Sequence, residues 1–472
     1  MLGLTDEELR EQVAWSAALY RVPGMSVAVI HGDEIERASY GVLNVETKVD
    51  VTDDSLFQIG SITKVFTGTL AMQFVESGAL ELDAPVRRYL PDLRIAGRPL
   101  ADAITVRMLL THSSGIVGDF FIDTGRNDDA TRLYVERCDE LEYLTEPGVF
   151  SYCNSGYGIL GRIIEVLSGK AFVKHLRDRL LGPLEITALT DPEDSMLYRI
   201  AAGHILDETG ALRLTPTPFL PRATEAAGSR LTMSASSLLT FARMHLGDGL
   251  GANGARIISA ESARAMRTPV VPLPVEHDGI GNYGLSWAIY DSFVPQAVGH
   301  NGGTIGQSAF LRLCPERGFA IAALANVSSP GAGSAFDDIV RAVAAKVGSI
   351  AIRDRPHPSA HVEVNAAPLV GRYDTLMSTL EITRPNGNLA LTVTSHYQGE
   401  IAALPPRHFA LEPIDATRFL AHDVSDGSTS VAGFVAFDGA TPGFFFWGGR
   451  LAKRASDAAS LQAGAQDVAD VN

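Results

Sequence analysis

Three short stretches hold residue types that could do chemistry together: Ser61-Ile62-Thr63-Lys64, Tyr152-Cys153-Asn154 and His300-Asn301-Gly302-Gly303. The first is the only Ser-x-x-Lys in the chain. A serine hydroxyl is a poor nucleophile until a base takes its proton. In a helix, a lysine three residues on lies one turn away on the same face. It can be that base where burial or a neighbouring cation depresses its pKa. Only six of the 39 Lys and Arg residues are lysines, so Lys64 belongs to a scarce set. A helix start at Ser61 would also offer unpaired N–H groups and a positive dipole end to the charge that builds on an attacked carbonyl oxygen. Tyr152 could shuttle the serine proton if a cation holds its phenol pKa down. The Asn154 amide can donate to an acyl carbonyl and accept from an ammonium. His300 adds a titratable donor. Gly302 and Gly303 admit a substrate close to the backbone, and the Gly303 N–H can serve as an oxyanion donor. His277-Asp278-Gly279 repeats the His-x-Gly pattern, but it reads as a polar loop with no strand directly after it, and is set aside.

The elements that must position these residues are legible in outline. Residues 1–19 read as an acidic amphipathic helix, Gly24–Ile30 and Ile35–Tyr40 as a hairpin around His31-Gly32-Asp33. Val65, Leu70, Met72, Phe74 and Val75 fit one buried helix after Ser61, ended by Ser77-Gly78. Thr105–Leu110 is a short helix closed by Thr111-His112-Ser113-Ser114-Gly115, and His112 is read as structural. Asp119–Thr131 is a polar loop expected to border a site. A helix with Tyr157, Leu160, Ile163, Ile164 and Leu167 on its buried side follows Asn154, and another is capped near Ser234 and runs to His245. Cys153 is given no role, because in an extended segment its side chain points away from those of Tyr152 and Asn154. Ala309–Leu313 and Phe319–Asn326 form a late hairpin, and Ala335–Val347 a returning amphipathic helix. Strands at both ends of this region thus build one sheet with helices between. Beyond Arg353–Pro358, which reads as a linker, short strands follow one another; Thr379–Thr383 and Leu389–Thr394 flank the turn Pro385-Asn386-Gly387.

Composition bounds the function. At 472 residues, 46% hydrophobic and 20% charged, the chain is an ordinary globular protein with room for two or three domains. Its formal net charge of −16 and lack of a basic run argue against nucleic acid or an anionic membrane surface as partner. No apolar stretch reaches membrane-spanning length, and the first residues lack the basic and apolar regions of a signal peptide. The three cysteines have no metal-ligand spacing and read as reduced thiols, so the expected location is cytoplasmic, with no metal and no cofactor.

Taken in order, the three motifs resemble the serine penicillin-recognising family: class C β-lactamases, low-molecular-weight penicillin-binding proteins and DD-peptidases, D-aminopeptidases and related esterases. Leu109–Gly115, Glu146-Pro147-Gly148 and Gly299–Gly303 support the resemblance, which covers about residues 10–350. It implies a mixed α/β fold, an antiparallel sheet flanked by helices with an inserted helical subdomain at about residues 80–220, filling residues 1–350. Residues 351–360 would be the linker, 361–455 a small antiparallel β-barrel resembling the lipocalin-like domain of some members, and 456–472 a disordered tail. It further implies Ser61 as nucleophile, Lys64 as its base and Tyr152 as assisting base and then acid. Asn154 and His300 would position substrate, with an oxyanion hole from the N–H groups of Ser61 and Gly303. Either Lys64 or Tyr152 could take the first proton. The third motif begins with His where β-lactamases have the Lys that pairs with the antibiotic's carboxylate. The expected function is therefore a serine hydrolase acting through an acyl-Ser61 intermediate on ester, amide or peptide substrates, of esterase or D-amino-acid-directed peptidase or amidase type. The alternative is a stand-alone penicillin-binding-protein-type thioesterase that cyclises a linear non-ribosomal peptide. A β-lactamase or DD-carboxypeptidase, or an inactive binding protein, ranks below both.

Overall fold

The computed structural model describes residues 5–207, 209–359, 361–396 and 405–455; the tail expected at 456–472 lies outside the described residues. The chain divides into two compact units. The first comprises Met1–Val149, Cys153–Pro272 and Ile280–Asp354; the second comprises Phe150–Tyr152, Leu273–Gly279 and everything from Arg355.

The first unit is built on an antiparallel sheet drawn from both ends of its chain. Its strands are β1 (Gly24–His31), β2 (Glu34–Gly41), β3 (Ile280–Tyr283), β4 (Ala288–Tyr290), β5 (Ala297–Thr304), β6 (Gln307–Cys314) and β7 (Phe319–Ala325). They run in the order β3-β4-β5-β6-β7-β1-β2. β1 meets β7 with Met25 opposite Ala325 and His31 opposite Phe319. Every residue of β7 is buried, and its sequence FAIAALA is a continuous apolar run. An antiparallel strand reads that way when both of its faces are covered. The covers are α1 (Asp6–Leu19), α5 (Ala235–Leu246) and α6 (Pro330–Val347), named together with α2 (Thr63–Glu76), α3 (Val106–Leu110) and α4 (Asn154–Ser168). α1 and α6 pack on each other and on the sheet, while α5 packs on β1 and β7. α1 starts with a capping box: Glu8 N–H donates to Thr5 Oγ1 (3.2 Å) and Thr5 N–H to Glu8 Oε2 (2.9 Å).

α2 is buried from Thr63 through Met72. A helix apolar all round belongs in the middle of a core, and Phe66 stacks on Phe241 of α5 at 3.7 Å between ring centres. α4 shows the apolar stripe expected of it and ends on Gly169 in the left-handed region (φ 67°), the usual helix stop.

The second unit contains a closed antiparallel barrel of eight strands, β8 to β15: Gly371–Asp374, Ser378–Thr383, Ala390–Ser395, Arg407–Pro413, Arg418–Asp423, Thr429–Asp438, Thr441–Trp447 and Arg450–Arg454. Closure removes the sheet edges that would otherwise pair with other chains. Side chains fill small barrels, and here Tyr373, Leu380, Phe409, Phe419, Phe434 and Phe445 share one buried cluster.

Two expectations need correction. The polar loop at His277-Asp278-Gly279 is a tight turn: Val271–His277 is a strand, β3 begins at Ile280, and Asp278 and Gly279 both have positive φ (50° and 78°). Asp-Gly between two strands is a two-residue turn signal, and both residues take the positive φ such a turn needs. Cys153 does have a role. It is the N-cap of α4, where its Sγ accepts from Gly156 N–H at 3.3 Å.

Buried histidines make this fold acid-sensitive. His245 on α5 is fully buried, 3.2 Å from Thr69 Oγ1 and edge-on to Trp287. Burial, with a smaller push from Arg267, lowers its pKa from 6.5 to about 3. The folded state therefore keeps it neutral while the unfolded chain protonates below about 6.5. Its contribution is present above that pH and is lost as pH falls toward 3, at roughly 1.4 kcal/mol per pH unit. Urea unfolding of His245→Gln between those limits is expected to show a shallower pH slope than the parent by about that amount.

Candidate active site

Ser61 sits on the single 3-10 turn Gly60–Ile62 that runs into α2, and Lys64 lies in the first α-helical turn. Lys64 is completely buried. Its Nζ donates to Ser61 Oγ at 3.0 Å and to the Ala227 carbonyl at 2.7 Å. Its ammonium stands 5.4 Å from the centre of the Tyr157 ring. Thr67 Oγ1 donates to Ala226 O at 2.7 Å, so two successive carbonyls of the 226–227 segment are held by α2. Sequence reasoning missed the Ala227 carbonyl, and no residue type could have flagged a main-chain acceptor.

The main chain closes tightly on the serine. Gly228 has φ 118°, and a Cβ there would collide with Gly60 O and come within 2.9 Å of Ser61 N. A Cβ on Gly302 would run into Ile59 O, and one on Gly60 would lie 2.6 Å from Gly303 N. The third motif therefore lies along the serine turn, with the Gly303 amide beside Gly60. Only glycine permits backbones to approach in this way.

His300 is on β5, whose register places it opposite Leu311. It is buried, and its Nδ1–H donates to the Asn301 carbonyl at 2.5 Å. Burial first, then the Lys64 ammonium, pushes its pKa down from 6.5 to about 3. At neutral pH His300 is an uncharged imidazole within the field of Lys64.

Asn154 opens α4 one turn before Tyr157. Its Nδ2 donates to Asp119 Oδ1 at 2.6 Å, and both residues are buried. Asp119 is thus a site residue that the sequence indicated only as the start of a polar loop. Cys153, between Tyr152 and Asn154, donates its N–H to His112 Nδ1 at 3.0 Å. Burial raises the Cys153 thiol to about 11, which leaves it inert.

Tyr152 falls in the second compact unit. There its N–H donates to Gly449 O at 2.9 Å, and the Arg450 guanidinium carbon is 4.9 Å from its ring centre. Ser61, Lys64, His300, Gly302, Gly303 and Asn154 all belong to the first unit. His277 belongs to the second, with Nδ1 3.5 Å from Val431 O. Among the described residues, no group of three or more His, Cys, Asp or Glu side chains could hold a metal ion. Nor is any helix among them long and apolar enough to cross a membrane.

Residues 8–346 match the family model described as Beta-lactamase. Penicillin-binding protein 4 of Amycolatopsis lactamdurans is 38% identical over 364 residues, which cover 75% of this chain and 94% of that protein. Among solved structures, SurE superposes with a TM-score of 0.75 at 26% identity, covering 95% of this chain and 99% of its own; SurE with D-Leu gives 0.73 over the same shares. The octameric penicillin-binding protein homologue from Pyrococcus abyssi gives 0.64 at 25% identity, covering 92% and 96%. The chain belongs to the β-lactamase and penicillin-binding protein family of serine hydrolases.

Proposed function

We propose that this protein is a serine hydrolase acting through an acyl-Ser61 intermediate on ester, amide or peptide substrates, of esterase or D-amino-acid-directed peptidase or amidase type. The observation that carries the reading is the 3.0 Å contact between Lys64 Nζ and Ser61 Oγ, with the amine fully buried and held from behind by Ala227 O. That is the environment in which a lysine serves as a base. Ser61 Oγ attacks the acyl carbon in molecules whose Lys64 has lost its proton to solvent, the neutral amine receives the hydroxyl proton, and the oxyanion forms against the N–H groups of Ser61 and Gly303. Tyr152, with the Arg450 cation over its ring, assists as base and then as acid: as the bond between the acyl carbon and the leaving group breaks, it gives its phenol proton to the leaving group, and the proton taken by Lys64 replaces it. Asn154, oriented by Asp119, donates to the acyl carbonyl. Water then releases the acyl group.

The state of His300 weighs against a β-lactamase. A Lys at this position would offer a cation to a substrate carboxylate, whereas His300 is neutral at pH 7. The likeness to SurE with bound D-Leu supports a D-residue in the substrate. The closed barrel following the first unit favours one other reading, a thioesterase of penicillin-binding-protein type in which an amine of a linear non-ribosomal peptide displaces the acyl group and closes a ring.

Mass spectrometry after incubation with p-nitrophenyl esters, D-amino-acid amides and a linear peptidyl thioester tests both readings. An acyl adduct is expected on the Ser61 peptide, and the released product, acid or macrocycle, chooses between them. Ser61→Ala is expected to abolish both adduct and turnover; an adduct that survives in this variant would overturn the assignment. Asp119→Ala releases the Asn154 amide, and misplacing a positioning group by about 1 Å costs up to about a hundredfold in rate. Acylation of this variant is expected to slow by about tenfold or more, measured as the burst rate with a p-nitrophenyl ester.

A further inference from the structure

His112 stands where the backbone asks for another residue. It follows Thr111, the C-cap of α3, and has φ 55°. The left-handed position after a helix is usually Gly, sometimes Asn, and another side chain there strains the backbone. The chain nevertheless places an imidazole at this point and buries it to 1% exposure. A turn alone would not need one.

Its surroundings give the reason. Nδ1 accepts the Cys153 N–H at 3.0 Å, and Cys153 is the residue joining Tyr152 to Asn154. The ring lies 5.1 Å from that of Tyr157, whose face carries the Lys64 ammonium and whose Oη is 2.7 Å from Ser286 Oγ. On another side it meets Tyr283 edge-on at 4.9 Å, and Tyr283 meets His300 edge-on at 6.3 Å. One imidazole thus touches the backbone of the second motif, the aromatic floor under the first, and the aromatic contact leading to the third.

We propose that His112 is a positioning residue for Ser61 acylation: neutral, with its proton on Nε2, it fixes the Cys153 amide, and with it Asn154 at the start of α4, relative to Lys64 and His300. This rests on the acyl-Ser61 reading above.

The test is burst kinetics with a p-nitrophenyl ester, in which the burst amplitude counts active serines and the burst rate reports acylation of each. A parent protein without a burst would remove the hydrolase reading itself, whatever His112 does. Given a parent burst, His112→Ala is expected to acylate about tenfold to a hundredfold more slowly per titrated site, the range for a misplaced catalytic segment. His112→Asn tolerates the left-handed backbone and offers Oδ1 to the Cys153 N–H, so it is expected to regain most of the rate. A role confined to folding predicts fewer titrated sites, each acylating at the parent rate, and that result would overturn the proposal. So would His112→Asn being as slow as the alanine variant at an unchanged thermal midpoint. Should His112→Ala not fold, Tyr283→Leu carries the test: slow acylation at full amplitude supports the proposal, and the parent rate refutes it. In 15N–1H spectra of histidine-labelled protein, the His112 Nδ1 is expected to carry no proton; a proton there would equally refute it.

Discussion

The structure depends on an amine that has been taken out of water. Removing an ammonium or amine from solvent costs several kcal/mol unless its hydrogen-bonding capacity is met. Here two neutral oxygens, Ser61 Oγ and Ala227 O, lie within 3.0 Å of Lys64 Nζ. The interaction cannot be arranged by α2 alone, because only Ser61 is local. Ala227 must be brought in from 163 residues away. The close approach of Gly228 and Gly302 to the serine turn is the steric consequence. A side chain at either position would push the walls back and open the amine to solvent.

The sheet makes this possible. β1 comes from the start of the first unit and β5 to β7 from its end, and the β1–β7 pairing closes the two over the helices between. The serine turn packs against β5, so the third motif reaches Ser61 along a strand rather than on a loop. Strands hold position better than loops do, and acyl chemistry needs sub-ångström placement. The second motif is held differently. Asn154 lies at a helix N-terminus that is fixed by a cysteine cap and an aspartate partner.

Much of this was readable from residue types. The buried α2, the stripe of α4, the Ser234 cap and the late hairpin all follow from periodicity and turn residues, because burial and backbone preference both pointed to the same answer at those places. The three motifs were legible for a similar reason, since residue types alone mark them. What escaped was carried by the backbone or by partners distant in sequence. The Ala227 carbonyl has no side-chain signature. Asp119 was one acidic residue in a polar loop until Asn154 arrived beside it. Cys153 was dismissed on strand geometry, yet it caps a helix, where sulfur can stand in for the usual oxygen. At His277 an Asp-Gly turn between two strands is indistinguishable, by residue polarity, from a polar loop. The assignment of Phe150–Tyr152 to the second unit could not be foreseen, because it reflects tertiary contacts of three residues embedded in the first unit's sequence.

The two imidazoles around Lys64 show how the charge of the site is controlled. His300 donates from Nδ1 to a carbonyl, whereas His112 accepts at Nδ1 from an amide, so the two rings hold opposite tautomers and each is neutral. A proton added to His112 Nδ1 would face the Cys153 N–H, and a charge on His300 would meet the like charge of Lys64. Burial first, and then the like charge of Lys64, account for the depressed pKa of His300. Tyr283 separates the two rings with an aromatic edge on each side. With both histidines neutral, no second cation competes with Lys64 for Ser61 Oγ. A lysine in place of His300 would put a second cation beside Lys64 and would have to be balanced by an anion from elsewhere, so the identity of this one residue sets the charge of the resting site.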